Sequence, residues 1–155
     1  MFFTIQKRLK EILEVEMNPE GILPGLKTVF LGDYKLVSSS DYPYAAIDFQ
    51  EGDVGGFPHK ITFSLDYTLT VYCIGVDLEE SAQIMESLLW KDREGMKPEG
   101  ILPVLIDNSG FSADGVSYRL QTGKVRIIQG KDENSRFTTA AEIPVKVTTW
   151  KQMNM

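Results

Sequence analysis

A run of thirteen residues, from Ile61 to Cys73, alternates without interruption between two kinds of side chain. Every odd-numbered position is apolar or aromatic, and the even-numbered positions carry threonine, serine, aspartate or tyrosine. A period of two predicts a β-strand with one buried face. At about 3.3 Å per residue the run spans roughly 43 Å, about twice an ordinary strand. We therefore expect one end of this strand to project beyond the body of the domain.

Three further segments have the character of strands. Alternation returns from Phe137 to Thr149, a shorter alternation covers Tyr44 to Gln50, and Lys27 to Leu31 is β-branched or aromatic. Pro144 falls on the polar set of the C-terminal run. Because proline cannot donate to a ladder, it indicates an edge, a bulge, or a backbone group that faces away from the neighbouring strand.

The connections between these strands are predicted from glycine, proline and charge. Glu51 to Lys60 holds three glycines and a proline, which favours a long, mobile hairpin connection. Further along, Gly123 and Gly130 are expected to break the strands, and Lys131 to Ser135 is a polar hairpin tip. The stretch from Ile101 to Gly115 matches no pattern and is interpreted as a contact loop.

Two segments have helical periodicity, Thr4 to Glu16 and Asp77 to Trp90. Asp77 and Glu80 form a variant of the capping box at the start of the second helix. The order of elements predicts an α+β fold, with a mostly antiparallel sheet and two main helices packed on one face. The expected buried stripes are Ile5, Leu9, Ile12 and Leu13 in the first helix, and Leu78, Ala82, Met85, Leu88 and Leu89 in the second.

Length and charge limit the classes of protein to which the chain can belong. At 155 residues, it is expected to form a single domain over residues 1–155. A net charge of −6 argues against a protein that wraps nucleic acid with a basic surface. The first residues lack the layout of a signal peptide, and no apolar run approaches the length of a membrane span. We therefore expect an intracellular protein with no membrane partner.

No pattern in the sequence indicates an enzyme, a cofactor or a metal site. Cys73 and His59 are the only residues of their kinds, which excludes an intrachain disulfide, a cysteine zinc cluster and a histidine-rich metal site. Cys73 is expected to be a buried, inert thiol, and His59 a surface residue. Phosphate-binding loops are absent, and the carboxylate pair at Glu79 and Glu80 is explained by the start of a helix.

Six residues, Pro-Glu-Gly-Ile-Leu-Pro, occur twice, from Pro19 and from Pro98. Each copy follows a predicted helix, and the long alternating strand has no counterpart at the same spacing. Two tandem domains are therefore not expected. The interpretation is two superimposable helix exits on one sheet, whether they arose by duplication or by chance.

The element order also resembles a known family. The segments are "GLKTVFLGD", "YPYAAIDFQEGD", the long strand "ITFSLDYTLTVYCIG", the helix "DLEESAQIMESLLW" and the final strand "FTTAAEIPVKVTTW". In this order, over most of the chain, they resemble the tail terminator proteins of long-tailed bacteriophages. That family comprises the lambda-type minor tail protein U group and related tail-completion proteins.

The resemblance implies a structural virion protein without a reaction or a cofactor. Such a protein forms a homohexameric ring that caps the tail tube, stops polymerisation of the major tail tube protein and presents a surface to the head-completion connector, or stopper. DNA is implied only as cargo that passes through the lumen. The implied location is the head-proximal end of the virion tail, after assembly in the host cytoplasm. The alternative is a neck or stopper-type joining protein or an adaptor that acts as a binding module.

Contact surfaces are expected at the projecting hairpins and at tyrosines near a loop. Tyr34, Tyr42 and Tyr44 are interpreted either as an interface patch or as part of a packed loop. The candidate interface residues are Asp53, Val54, Phe57, Pro58, His59, Lys131, Asp132, Glu133, Asn134, Tyr42 and Tyr44.

Overall fold

The thirteen-residue run lies within a 16-residue strand, β3 (Lys60–Gly75), as its period predicted. β3 pairs along its whole length with the antiparallel strand β9 (Phe137–Gln152). These features come from a computed structural model, which describes residues 1–32, 38–56, 60–131 and 134–152.

The sheet extends on both sides of this pair. On one side, β2 (Tyr44–Gly55) is antiparallel to β3, and the short β1 (Thr28–Leu31) is parallel to β2. On the other side, β9 pairs first with β8 (Arg126–Lys131) and then with β7 (Val116–Thr122). The strand β6 (Gly110–Ala113) follows β7. The predicted α+β class with a largely antiparallel sheet is confirmed.

The described residues form three α-helices, a short 3-10 helix (Ser39–Asp41) and one small hairpin outside the main sheet. The α-helices are α1 (Phe2–Glu14), α2 (Leu78–Leu89) and α3 (Ile101–Asp107). The hairpin joins β4 (Lys91–Arg93) to β5 (Met96–Glu99). The prediction of a loop over residues 101–115 was therefore wrong, since they contain α3 and β6.

Helix α3 was not predicted from the sequence because it contains a proline. Pro103 is the third residue of this seven-residue helix, where a backbone N–H has no partner within the helix. The proline is therefore tolerated at that position, although a proline in a sequence usually predicts the end of a helix. Ile101, Val104 and Leu105 are buried, and they attach the helix to the core.

One core lies between the helices and the inner face of the sheet. The odd-numbered residues of β3 from Leu65 to Cys73 are buried there, as predicted, together with those of β9 from Thr139 to Thr149. The predicted stripe of α1 is also buried. The residues that α1 contributes are Ile5, Leu9, Ile12 and Leu13.

In α2, the cap was predicted correctly and the stripe only in part. The Asp77 carboxylate accepts a 2.7 Å hydrogen bond from the backbone N–H of Glu80. Met85 and Leu88 are buried, but Leu78 in the first turn is exposed. The fully buried polar residue on this face is Ser81, which a hydroxyl contact with the sheet satisfies.

The predicted long connection from Glu51 to Lys60 is mostly strand. β2 passes a bulge at Gln50 and continues to Gly55, with Glu51 opposite Asp66 and Asp53 opposite Ser64. The glycines that suggested a mobile loop lie in this strand instead. This part of β2 is exposed, so it needs no packed side chains at these positions, and pairing with β3 holds its backbone extended.

Pro144 lies in the interior of β9. Of the three predicted explanations for a proline there, the one that applies is a backbone group that faces away from the neighbouring strand. Its carbonyl accepts a 2.8 Å hydrogen bond from Gly123, at the point where β9 changes partner from β8 to β7. The nitrogen of a strand residue points to the same side as its carbonyl. The missing N–H of Pro144 therefore faces the break between β8 and β7 and not β3, so no β3–β9 hydrogen bond is lost. Gly123 does end β7, as predicted, whereas Gly130 lies inside β8.

The two Pro-Glu-Gly-Ile-Leu-Pro copies are not superimposable. The first is an irregular turn, and the second runs from β5 into α3. They nevertheless meet, because the Gly100 N–H donates a 2.7 Å hydrogen bond to the Ile22 carbonyl. Each glycine also packs against the chain at the end of the preceding helix, Gly21 on the Glu16 carbonyl and Gly100 on that of Leu89. What the copies share is therefore a glycine that allows close backbone approach.

We expect Gly100→Ala to lower the free energy of unfolding by about 2 kcal/mol or more. Gly100 has φ +129°, and an added Cβ would lie 2.5 Å from the Leu89 carbonyl oxygen. Gly110→Ala is the matched control, because nothing lies within 4 Å of its added Cβ. Urea unfolding of the two variants measures the difference. Equal stability would contradict this account of the glycine.

Candidate interface surfaces

The predicted contact residues fall at opposite ends of the sheet. Lys60 pairs with Gln152 at one end of the β3–β9 ladder, and Gly75 pairs with Phe137 at the other. A ladder of this length spans about 50 Å. The β2–β3 hairpin turns at the first end and the β8–β9 hairpin at the second. The fold therefore separates these residues into two surfaces.

The first surface is the distal arm, which we define as residues 50–55 of β2 with residues 60–64 of β3. Asp53 and Val54 are exposed on this arm, and 53% of Val54 is accessible. Phe57, Pro58 and His59 lie outside the described residues. The arm therefore presents both a carboxylate and an apolar side chain.

The second surface is the turn between β8 and β9. Lys131 and Asn134 are exposed there, and the Lys131 ammonium lies 4.8 Å from the centroid of the Phe137 ring. Asp132 and Glu133 lie outside the described residues. A lysine over an aromatic ring is held by cation–π attraction, so this cation has a defined position beside the turn.

Tyr42 and Tyr44 are buried within the chain, on the face of the sheet that lacks helices. Tyr44 stacks on Tyr72 at 4.8 Å and meets Tyr42 edge-on at 5.0 Å. Phe30 contacts Tyr44 from β1 at 5.4 Å. Of the two interpretations, the packing corresponds to the packed loop, and the rings offer little surface to a partner. Tyr34 lies outside the described residues.

An open groove of about 670 Å³ lies between these rings and β8. Its floor carries Thr68 and Thr70 of β3, and its wall on the β8 side includes Ile128. The groove is therefore a polar trough on the helix-free face, with apolar side chains along one border.

Charge is distributed unevenly over the helix-free face. Glu51 and Asp53 lie on β2 at one side, whereas Lys146 of β9 and Arg119 of β7 lie on the other. Between them, Asp66 of β3 lies opposite Glu51 on one side and Lys146 on the other, so the register brings acidic and basic residues into one row.

The titratable groups of the described residues whose pKa is strongly shifted are buried, and no metal-binding cluster occurs among these residues. Cys73 is fully buried, and burial raises the pKa of its thiol to about 12. Burial also raises the pKa of Tyr67, whose hydroxyl donates a 2.6 Å hydrogen bond to the Phe2 carbonyl. Within these residues, no three histidine, cysteine or acidic side chains converge as a metal site would require. None of their helices has both the length and the apolar character needed to cross a bilayer.

Comparison with known proteins does not assign this chain to a family. No protein-family model and no curated protein matches it. Its function is therefore inferred from its own residues and fold.

We expect Cys73 to react with a thiol reagent such as DTNB only after unfolding, because the native thiol is buried and protonated. The measurement is the labelling rate at pH 8 with and without denaturant. A Cys73→Ala, Val54→Cys chain is the control, since it places the only thiol on the exposed distal arm. Native Cys73 labelling at the rate of this control would contradict the prediction.

The same thiol should contribute to alkaline instability. The unfolded thiol titrates near its ordinary pKa of 9.0 and the folded thiol near 12, so rising pH favours the unfolded state. Its contribution to stability is present below pH 9 and is lost between pH 9 and 12. Cys73→Ala should therefore show a shallower fall of unfolding free energy over this interval. An unchanged slope in urea titrations would oppose this assignment.

Proposed function

We propose that this chain is a tail terminator of a long-tailed bacteriophage. In this role, copies of the chain form a ring at the head-proximal end of the tail tube after assembly in the host cytoplasm. The ring stops polymerisation of the tube protein and presents a surface to the head connector. The resemblance in element order suggests this role.

The observation that carries the proposal is the unbroken β3–β9 ladder. It places two exposed hairpins about 50 Å apart on one rigid pair of strands. A terminator needs contact surfaces on two sides, one for the tube and one for the connector. The distal arm and the β8–β9 turn are suited to these two contacts because they are exposed at opposite ends.

The charge of the chain is compatible with a ring around passing DNA. Net charge −6 gives no general attraction for phosphate, so DNA would move through without being held. The four-stranded width from β2 to β8 also leaves lateral edges for neighbouring copies.

Deleting the gene from its phage or prophage tests the proposal. We expect overlong tails that lack heads, because nothing would stop the tube or join it to the connector. Electron microscopy of lysates measures tail length and attachment, and complementation with the wild-type gene is the control. Tails of normal length joined to heads would overturn the proposal. Tails of normal length without heads would favour the joining-protein alternative.

A further inference from the structure

Besides the short terminal strand β1, two longer stretches of strand edge are open in the described part of the chain. β1 pairs with β2 as far as Ile47, and beyond the bulge residues 51–55 of β2 pair with β3 alone among the described residues. On the other side of the sheet, β8 pairs with β9 alone among the described residues. Open edges present unpaired backbone groups that can accept a further strand.

The edge at β6 differs because a side chain covers part of it. The Arg8 guanidinium Nε donates a 3.0 Å hydrogen bond to the Ser112 carbonyl of this strand. A charged side chain on an edge is one means by which proteins block further strand pairing. The β6 edge is therefore less suited to strand addition than the exposed edges of β2 and β8.

These two open edges carry opposite charge. Residues 51–55 include Glu51 and Asp53 and no basic residue. Residues 124–131 include three basic residues and no acidic one. The basic residues are Lys124, Arg126 and Lys131.

Apolar side chains accompany the charges on both edges. Val54 is 53% exposed beside the acidic edge, and Ile127 and Ile128 are 50% and 41% exposed on β8. Exposed β-branched residues on a strand favour pairing with another strand. Two like edges would repel each other, whereas unlike edges attract, so the charges select one pairing among the possible ones.

We propose that β8 of one copy adds as a strand to the acidic edge of β2 in the next copy. The occupant of each edge is therefore a second copy of this chain. Because the two edges lie on opposite sides of the sheet, the contact is head-to-tail and closes into a ring where the rotation permits. The inference rests on the ring proposed above and identifies its subunit interface.

Charge reversal tests this interface on the full chain. Glu51→Lys with Asp53→Lys makes both edges basic, and Arg126→Glu with Lys131→Glu makes both acidic. Wild type is expected to self-associate in sedimentation velocity runs. Each reversed chain alone should need at least about tenfold higher concentration, because its edges repel. An equal mixture of the two should assemble again, since each supplies the edge that the other lacks.

A matched control carries the same charge change as Glu51→Lys with Asp53→Lys, but away from the edges. Glu14→Lys with Glu86→Lys alters two exposed helix residues and should assemble like wild type. Circular dichroism and urea unfolding identify any chain that fails to fold. Recovery of assembly in the mixture also shows that the reversed chains are folded, because a misfolded chain would not regain a partner.

The results separate this interface from the proposed function. Wild type that stays monomeric at every concentration, reversed chains that assemble normally, or a mixture that stays monomeric would each overturn the interface. Overlong tails on gene deletion, fully corrected by both reversed chains, would retain the terminator and reject the interface. Assembly as expected, with normal headed tails on deletion, would retain the interface and reject the terminator.

Discussion

The β3–β9 ladder is the interaction on which the remaining structure depends. Its sixteen residue pairs form the centre of the sheet, and its inner face supplies a large part of the core. β2, β7 and β8 all pair directly with one of its two strands. Both hairpins project from its ends, so their separation and orientation follow from this single pairing.

A few buried hydrogen bonds fix the positions of two helices on the sheet. The Gln6 side-chain amide of α1 donates to the Ile47 carbonyl of β2 at 2.6 Å. Ser81 of α2 and Thr139 of β9 share a 2.8 Å hydroxyl contact. Apolar packing alone tolerates small sliding of a helix, whereas a buried polar group without its partner costs about 1–3 kcal/mol. These contacts therefore define one arrangement of the helices.

Period-two and helical patterns predicted the parts of the fold that such patterns determine. The long strands, α1, the Asp77 cap and the α+β class follow from local periodicity. The extension of β2 to Gly55 was missed because cross-strand pairing overrides the local preference of glycine for turns. α3 was missed because it has only seven residues and contains Pro103. The sequence alone could not show whether Tyr44 is exposed or packed, because its packing depends on the register that places it against Tyr72.

The charge separation across the sheet has a different origin, because it arises from topology. In chain order, residues 51–55 and 124–131 are short charged segments far apart, and each alone has the composition of a solvated turn. The strand order β2-β3-β9-β8 places them on opposite sides of the same sheet. In the proposed interface, opposite charge on opposite edges would let each copy bind two neighbours, whereas the same charges on one edge would favour an isolated pair. The curvature of the sheet, and not the charges, would then set how many copies close the ring.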